Sequence, residues 1–326
     1  MLRKLILLVM CSVSLQLMAQ SDLQQRVDAL WLTDDYAAAK SLLTTHVDRK
    51  TKDAWLLAAL GYSEMALGND EDAEKLLSRA IKIEDNNADY QLWFGSASCN
   101  RAQQVNMLSA AGYAKRCLSA FKRAHHLKPT EPKYTRAYAQ FLAQAPSIVG
   151  GDKDQALQLA TQLQQIAPEQ GAVLKLELLS SDSDSRAFEQ FILDNPILAN
   201  RPEPHFIRGS RATNENNYTD AIAHFNRAIQ TLAADELANT NRQSARYQLA
   251  RASVLGNTAA EQGLTAITEY LQGKTVPASA EWAKLRKAQL HLQLAQQDQA
   301  DALLRQLTAN SKDDRIQAEI KKIQQG

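Results

Sequence analysis

One spacing of small and large apolar residues recurs along this 326-residue chain. In residues 54–87, Gly61 is followed by Ala73, Leu77 and Ala80, at steps of 12, 4 and 3 residues. Two later windows, 202–235 and 281–314, carry the same steps with conservative changes: Gly209, Ala221, Phe225 and Ala228, then Ala288, Ala300, Leu304 and Leu307. A period of about 34 residues indicates a repeat architecture, in which one supersecondary unit is stacked several times.

These steps predict a helical hairpin in each window. Steps of three and four residues place Ala73, Leu77 and Ala80 on one face of a helix. The longer step leads back to a preceding helix that carries Gly61. We expect Gly61 and Ala73 to form the close contact between the two helices, and Leu77 and Ala80 to pack on the following repeat. Because a single hairpin cannot bury its apolar face, neighbouring hairpins must stack.

Two further windows carry the pattern with extra residues. In 88–131 the step after Gly95 is 22 residues, an addition of ten, and in 132–170 the step after Ala139 is 17 residues, an addition of five. The members are Gly95, Cys117, Phe121, Ala124 and Pro129, then Ala139, Ala156, Ala160, Leu163 and Pro168. Both additions, near 101–112 and 146–151, fall between the two helices of a repeat. Because these turns share one edge of a stack, we expect the two added segments to be neighbours.

Weaker helical pairs fill the rest of the chain, at 22–47, 171–200 and 243–275. A last helix over 313–324 suits a terminal cap, because its apolar residues form one stripe: Ile316, Ile320 and Ile323. Three prolines mark 196–204 as a candidate hinge. The sequence therefore predicts an all-α fold, an α-solenoid of antiparallel helix pairs. It would form a right-handed superhelix of about fourteen or fifteen helices with a C-terminal capping helix.

The first nineteen residues are typical of a secretory signal peptide. Arg3 and Lys4 form a basic start, residues 5–17 are mostly apolar, and Ala19 offers a small residue before a cut. Residues 20–326 would then form the mature chain, located in the periplasm. The alternative is an uncleaved anchor, but the apolar stretch is short for a membrane span, and no other segment approaches one.

Two cysteines remain in the mature chain, Cys99 and Cys117. In an oxidising compartment they could form a disulfide, and the alternative is a pair of buried thiols. If Cys117 lies opposite Gly95, it is about one helical turn away from Cys99. Bridging then requires a small shift of register. The spacing leaves both possibilities open.

The spacing resembles that of the tetratricopeptide repeat, from about residue 22 to the end of the chain. Two stretches, NADYQLWFGSASCNRAQQ (87–104) and FLAQAPSIVGGDKDQALQLA (141–160), also resemble a group of exported proteobacterial tetratricopeptide proteins. This resemblance implies a periplasmic scaffold or adaptor and supplies no catalytic residues. The chain departs from the family pattern at Gln91 and Thr135, where a large apolar residue is usual.

No catalytic or cofactor-binding motif accompanies the repeats. The histidines are scattered, and Walker, nucleophile-elbow and zinc-protease patterns are missing from the sequence. Gly150 and Gly151 most simply allow a tight turn, with Asp152 as a helix cap. A net charge of +1 gives no overall field for nucleic acid. We therefore predict a protein that is not an enzyme, with no cofactor, no metal site and no nucleic-acid partner.

A partner surface is the stronger functional prediction. The first helices of such repeats line the concave face of the solenoid, and the following side chains would point there: Trp55, Tyr62, Leu92, Ser96, Lys133, Arg136, Gln140, Tyr247 and Arg251. Aromatic and arginine side chains are frequent interface anchors. The alternatives are that Trp55 and Tyr62 pack between helices, and that Lys133 and Arg136 are solvated charges. The inserted edge adds a second candidate set: Arg101, Lys115, Arg116, Asp152 and Lys153.

Two functions follow from these observations. The first is a non-catalytic exported scaffold or adaptor that binds a protein or peptide on its concave helical surface. The alternative is a cell-wall glycan-associated enzyme, or an enzyme accessory, that uses the inserted loops. Two facing carboxylates near Asp152 would favour the alternative, and an open groove would favour the scaffold.

Overall fold

The computed structural model describes residues 21–180, 185–273 and 277–325. Within these residues the chain forms seventeen α-helices and no β-strand, which confirms the all-α prediction. The helices outnumber the fourteen or fifteen expected, and the helical pairs predicted at 22–47 and 171–200 are both present. The predicted signal peptide lies outside the described residues.

The helices alternate with short connections along the chain. Two 3₁₀ helices, Ser147–Val149 and Pro196–Leu198, lie in longer connections. The α-helices are α1 (21–32), α2 (Tyr36–Thr44), α3 (Ala54–Ala66), α4 (Asp70–Ile83), α5 (Ala88–Gln104), α6 (Met107–Leu127), α7 (Pro132–Gln144), α8 (Lys153–Ile166), α9 (Pro168–Ser180), α10 (Ser185–Asp194), α11 (Glu203–Asn214), α12 (Tyr218–Ile229), α13 (Glu236–Gly256), α14 (Ala260–Gln272), α15 (Pro277–Gln293), α16 (Gln297–Asn310) and α17 (Asp314–Gln325).

The chain divides into two compact units between Gly171 and Ala172. The hinge predicted at 196–204 stays a prediction. Within the second unit, residues 201–204 of this segment are buried. Arg201 donates hydrogen bonds to Glu203 and Asp235, so this part of the segment is held by charged contacts.

Asp and Asn side chains define where many helices begin. Each accepts a hydrogen bond from a backbone N–H in the first turn, which satisfies a donor that has no partner inside the helix. Residues of this kind precede several of the helices, among them Asp35, Asp53, Asn87, Asn106, Asp152, Asn217 and Asp235. The predicted role of Asp152 as a helix cap is confirmed, since its carboxylate accepts from the Gln155 N–H at 2.9 Å.

The glycines of the repeat lie beneath large side chains of the second helix. A Cβ added to Gly61 would lie 2.7 Å from the Leu77 Cγ, and one added to Gly209 would lie 2.7 Å from the Phe225 ring. The prediction that Gly61 meets Ala73 as a small–small pair is therefore wrong in part. The backbone oxygen of Ala73 is nearby, but the glycine chiefly makes room for the larger apolar residue one turn further on.

This register explains the pairing of Cys99 with Cys117. A Cβ on Gly95 would lie 2.5 Å from the Phe121 ring, so Gly95 lies opposite Phe121 and not opposite Cys117. Moving one turn along both antiparallel helices brings Cys99 opposite Cys117. Their Cα atoms are 5.3 Å apart and their sulfur atoms are bonded, at a separation typical of disulfides. Of the two possibilities left open by the sequence, the structure contains the disulfide.

The ten additional residues lengthen both helices of the third pair. Helices α5 and α6 contain 17 and 21 residues, against 13 and 14 in α3 and α4. The second addition forms the 3₁₀ helix before α8. Gly150 there has a φ of +97°, and a Cβ on it would lie 2.3 Å from Leu118 of α6. The tight turn predicted for these glycines is confirmed, and it rests against the lengthened α6.

Helix α17 covers the apolar end of the second unit. Ile316 and Ile320 are buried in one cluster with Leu285, Leu304 and Leu307 of α15 and α16. Ile323 packs against the same cluster and is partly buried. The predicted capping helix is confirmed.

Candidate partner-binding surface

The first helices of successive pairs contact one another within each unit. In the first unit α3 contacts α5 and α5 contacts α7, and in the second unit α11 contacts α13 and α13 contacts α15. Each unit therefore presents a continuous surface made by its first helices, which we call the first-helix surface of that unit. Seven of the nine predicted concave-face residues belong to α3, α5 and α7, and the other two belong to α13.

Tyr62 lies at the centre of an aromatic cluster in the first unit. Its ring centroid is 4.8 Å from that of Trp31 and 4.6 Å from that of Trp93. Tyr36 completes the cluster at 6.0 Å, and the Trp31 indole donates a hydrogen bond to the Ser63 hydroxyl. All four rings are partly exposed. Such rings combine a large apolar area with a polar edge, which suits them to interfaces.

Trp31 and Trp93 were not among the residues predicted for this surface. Both lie outside the positions of the matched pattern. A usable signal existed nonetheless, because Trp31, Tyr62 and Trp93 follow one another at equal intervals of 31 residues. Equal spacing at about the repeat length places side chains in register on successive first helices.

Trp55 and Leu92 make packing contacts. Trp55 is partly buried against a cluster that includes Leu23, Val27 and Leu43, and Leu92 packs against a cluster that includes Tyr134. These contacts agree with the packing alternative raised for Trp55. Any role of these two residues in binding stays a prediction.

Lys133 and Arg136 lie on α7, and Lys133 is paired. The Lys133 ammonium is 2.5 Å from the Asp89 carboxylate of α5 and also lies over the ring of Tyr134. Burial acts to lower the pKa of Lys133, but the hydrogen bond and charge of Asp89 raise its pKa overall. Lys133 therefore links two neighbouring first helices, α5 and α7, by a partly exposed ion pair.

Ser96 and Gln140 line the same cavity. It has a volume of about 470 Å³ and lies between α5, α6, α7 and the 3₁₀ helix of the second addition. Residues from both inserted segments line its wall, Ala102 and Gln103 from one, and Pro146 and Val149 from the other. The two segments are therefore neighbours, as the repeat register predicted.

The five predicted loop-edge residues make different contacts. Arg101 pairs with Glu71 at 3.2 Å, and Arg116 pairs with the buried Glu74, so both arginines contact α4. Arg116 also lies 4.3 Å from the ring centre of Tyr113. Lys115 and Lys153 are exposed, and Asp152 caps α8. A shared functional edge made of these charges stays a prediction.

In the second unit, Tyr247 packs against Tyr270 with ring centroids 5.5 Å apart. Arg251 donates to the Gln248 side chain one turn away. Neither contact assigns a ligand to this surface. The more unusual charged group of the unit is Arg201, which is 3% exposed and pairs with Glu203, itself 1% exposed. No motif or spacing in the sequence predicted this buried pair.

His205 of α11 and His224 of α12 stack with ring centroids 5.9 Å apart. Burial, followed by the charges of Arg208 and other neighbouring groups, lowers the pKa of His205 to about 4. The pKa of His224 is lowered for the same reasons. Among the described residues, no group of three or more His, Cys, Asp or Glu side chains is arranged to hold a metal ion.

The match to a known family agrees with this geometry. Residues 30–92, from the end of α1 into α5, match the family model described as tetratricopeptide repeat. Helical hairpins in which a glycine of the first helix packs against a large side chain of the second also occur outside that segment, at Gly95 and Gly209. Residues 30–92 are therefore similar to the tetratricopeptide repeat family. No curated protein sequence matches it.

Several solved structures are similar to this chain. A thermophilic tetratricopeptide protein of Thermus thermophilus is 14% identical with a TM-score of 0.44, covering 69% of this chain and 97% of its own. A tetratricopeptide repeat protein from Parabacteroides merdae is 12% identical, with a TM-score of 0.42. The match covers 92% of this chain and 97% of the Parabacteroides chain. PilW, a type IV pilus biogenesis factor, is 13% identical, with a TM-score of 0.41. The match covers 82% of this chain and 98% of the PilW chain.

No helix among the described residues combines the length and apolar character that crossing a membrane requires.

Proposed function

We propose that this protein is a non-catalytic scaffold that binds a protein or peptide partner on the first-helix surface of its first unit. One observation carries the proposal. The surface is continuous from α3 to α7, and its partly exposed rings of Tyr62 and Trp93 lie beside that of Trp31 in α1. Adjacent aromatic side chains that keep part of their area exposed are typical anchors of protein interfaces.

We also propose that the chain works in the periplasm. The apolar segment at 5–17 and the small residue Ala19 support export. The disulfide between Cys99 and Cys117 supports the same compartment, because disulfides persist where thiols are not kept reduced.

The glycan-associated alternative gains no support from the inserted loops. It required two facing carboxylates near Asp152 to act as acid and base or nucleophile. The cavity beside the second insertion is lined by apolar, serine, cysteine and glutamine side chains, and no carboxylate contributes to it. No specific observation therefore favours a glycan-cleaving site there.

Site-specific photo-crosslinking in cells tests the scaffold proposal. The photoreactive residue p-benzoylphenylalanine would replace Tyr62 or Arg136 on the first-helix surface. Matched controls would carry it at Lys122 of α6 or Gln162 of α8, which are exposed positions on second helices. We expect one discrete crosslinked partner from Tyr62 and Arg136 and none from the controls. Equal crosslinking from both sets of positions, or none from either, would contradict the proposal.

A further inference from the structure

Two uncharged stretches of the chain converge on the cavity between α5, α6 and α7. Residues 102–114 and 137–151 contain no Asp, Glu, Lys, Arg or His, although 22% of the whole chain is charged. They include the turn from α5 into α6, much of α7 and the 3₁₀ helix. Part of the second stretch is buried in the core. The exposed part of the two stretches has the composition of a contact surface, because charged residues are depleted at the centres of protein interfaces.

The wall of this cavity has two kinds of groups. Its apolar part comes mainly from Phe121, Phe141 and Val149, together with four alanines. Its polar part includes three glutamines: Gln103, Gln140 and Gln144. The volume of about 470 Å³ falls within the range of roughly 300–1,000 Å³ found for ligand pockets. A primary amide donates and accepts hydrogen bonds, as a peptide group does, so the lining matches an apolar side chain flanked by peptide backbone.

The same two segments expose large apolar side chains at their turns. Met107 is 88% exposed, Leu108 is 93% exposed and Ile148 is 85% exposed. Side chains of this size on uncharged segments mark contact surfaces when they occur together. A lipid surface would favour basic residues within the contact itself, and the two segments contain none, although Arg101, Lys115 and Lys153 flank them.

We propose that this cavity, here called the amide pocket, binds one large apolar side chain of an uncharged, extended segment of a partner protein. The apolar side chain enters between Phe121, Phe141 and Val149, and the glutamine amides bind the backbone on either side. The disulfide forms part of the wall through Cys99 and keeps α5 and α6 in the register that shapes the pocket. This inference rests on the proposed scaffold function and names the chemistry of the bound segment.

Alanine-methyl NMR of the oxidised mature chain tests the amide pocket. The probes are blocked pentapeptides Gly-Ser-X-Ser-Gly, with Leu, Phe, Ala, Glu or Lys as X. We expect the Leu and Phe peptides to shift the methyl signals of the four lining alanines, Ala102, Ala114, Ala137 and Ala145. The Ala peptide should bind at least about tenfold more weakly, because it lacks the apolar area that the pocket buries.

Two variants test the assignment of residues. Ala137→Trp fills the pocket and should abolish the shifts, whereas Ala37→Trp, at an exposed position of α2, should leave them unchanged. Gln144→Ala removes an exposed amide without disturbing the core and should weaken binding by about two- to tenfold. Unchanged methyl signals elsewhere in the chain show that each variant is folded.

Three results would overturn the inference. The first is the absence of shifts from the Leu and Phe peptides at about 10 mM, a concentration that detects even weak binding. The second is equal binding of the Glu and Lys peptides. The third is capture of the protein by phosphatidylcholine vesicles that is lost in Met107→Ser/Leu108→Ser, which would assign the surface to lipid. If the pocket fails while Tyr62 still crosslinks a partner, the scaffold function stands and only the pocket is wrong.

Discussion

Gly95 shows how one residue without a side chain sets the distance between two helices. A Cβ at this position would lie 2.5 Å from the Phe121 ring, far inside ordinary contact. Gly95→Ala should therefore destabilise the protein by about 1–3 kcal/mol through overpacking, despite the better helix propensity of alanine.

Gly112→Ala is the matched control, because Gly112 lies in α6 with no atom near its added Cβ. That change should stabilise the protein by about 0.5–1 kcal/mol. Urea unfolding of both variants measures the difference, and equal stability would contradict the packing described.

His205 and His224 predict an acid-sensitive stability in the second unit. Burial, with the charges of Arg208 and other neighbours, lowers the pKa of His205 to about 4, against an ordinary value of 6.5. The unfolded chain therefore binds the proton more readily than the folded chain between these two values. Stability is full above about pH 6.5 and falls as the pH drops toward 4. Because the rings are partly exposed, the loss between pH 7 and pH 5 should be only about 1 kcal/mol.

Replacing the histidine separates this effect from general acid unfolding. His205→Gln keeps a polar side chain of similar reach but does not titrate. In urea unfolding at pH 7 and pH 5, the variant should lose less stability than the natural chain. The other charged groups near the pair, among them Glu189, Asp220 and Arg227, are the same in both proteins. An identical loss in the two proteins would show that another group is responsible.

At the scale of helices, the disulfide joins the two longest members of the first unit. It closes a loop with a sequence separation of 18 residues, and a loop of that size corresponds to about 3 kcal/mol of stabilisation. A reductant should lower the free energy of unfolding of the natural chain by about 3 kcal/mol. It should have no effect on the Cys99→Ala/Cys117→Ala variant. Labelling of both thiols in unreduced protein would show instead that the bond does not form.

The helix pairs, the two insertions and the capping helix could be predicted from sequence, because each depends on apolar spacing along the chain. The register between helices could not. Spacing gives the face on which Gly95 and Cys117 lie, but not which residues stand opposite one another. The assumption that the smallest residues meet placed Gly95 one turn away from its real neighbour, Phe121. If Phe121 is placed opposite Gly95, one turn along both antiparallel helices brings Cys99 opposite Cys117.

The candidate surface was less predictable than the fold. Tyr62 was found because it lies in the matched window, but its neighbours Trp31 and Trp93 do not occupy positions of the pattern. Gln91 and Thr135 looked like departures from the family pattern. In the structure both are buried and contact the preceding turn, since Gln91 donates to the Asp85 carbonyl and Thr135 to the Pro129 carbonyl. Polar residues at these positions hold the turns by hydrogen bonds that no apolar periodicity reveals.

At the scale of the whole molecule, export and the disulfide make one joint prediction. The natural chain should lose residues 1–19 during export, begin near Gln20, and contain bridged Cys99 and Cys117. Leu7→Arg/Val9→Arg places two charges in the apolar segment and should block export, because a signal peptide needs an uninterrupted apolar stretch. The retained protein should keep Met1 and carry free thiols, since the cytosol keeps cysteines reduced. N-terminal sequencing and thiol alkylation before mass spectrometry read both properties from one sample. Retention of Met1 in the natural chain would contradict export.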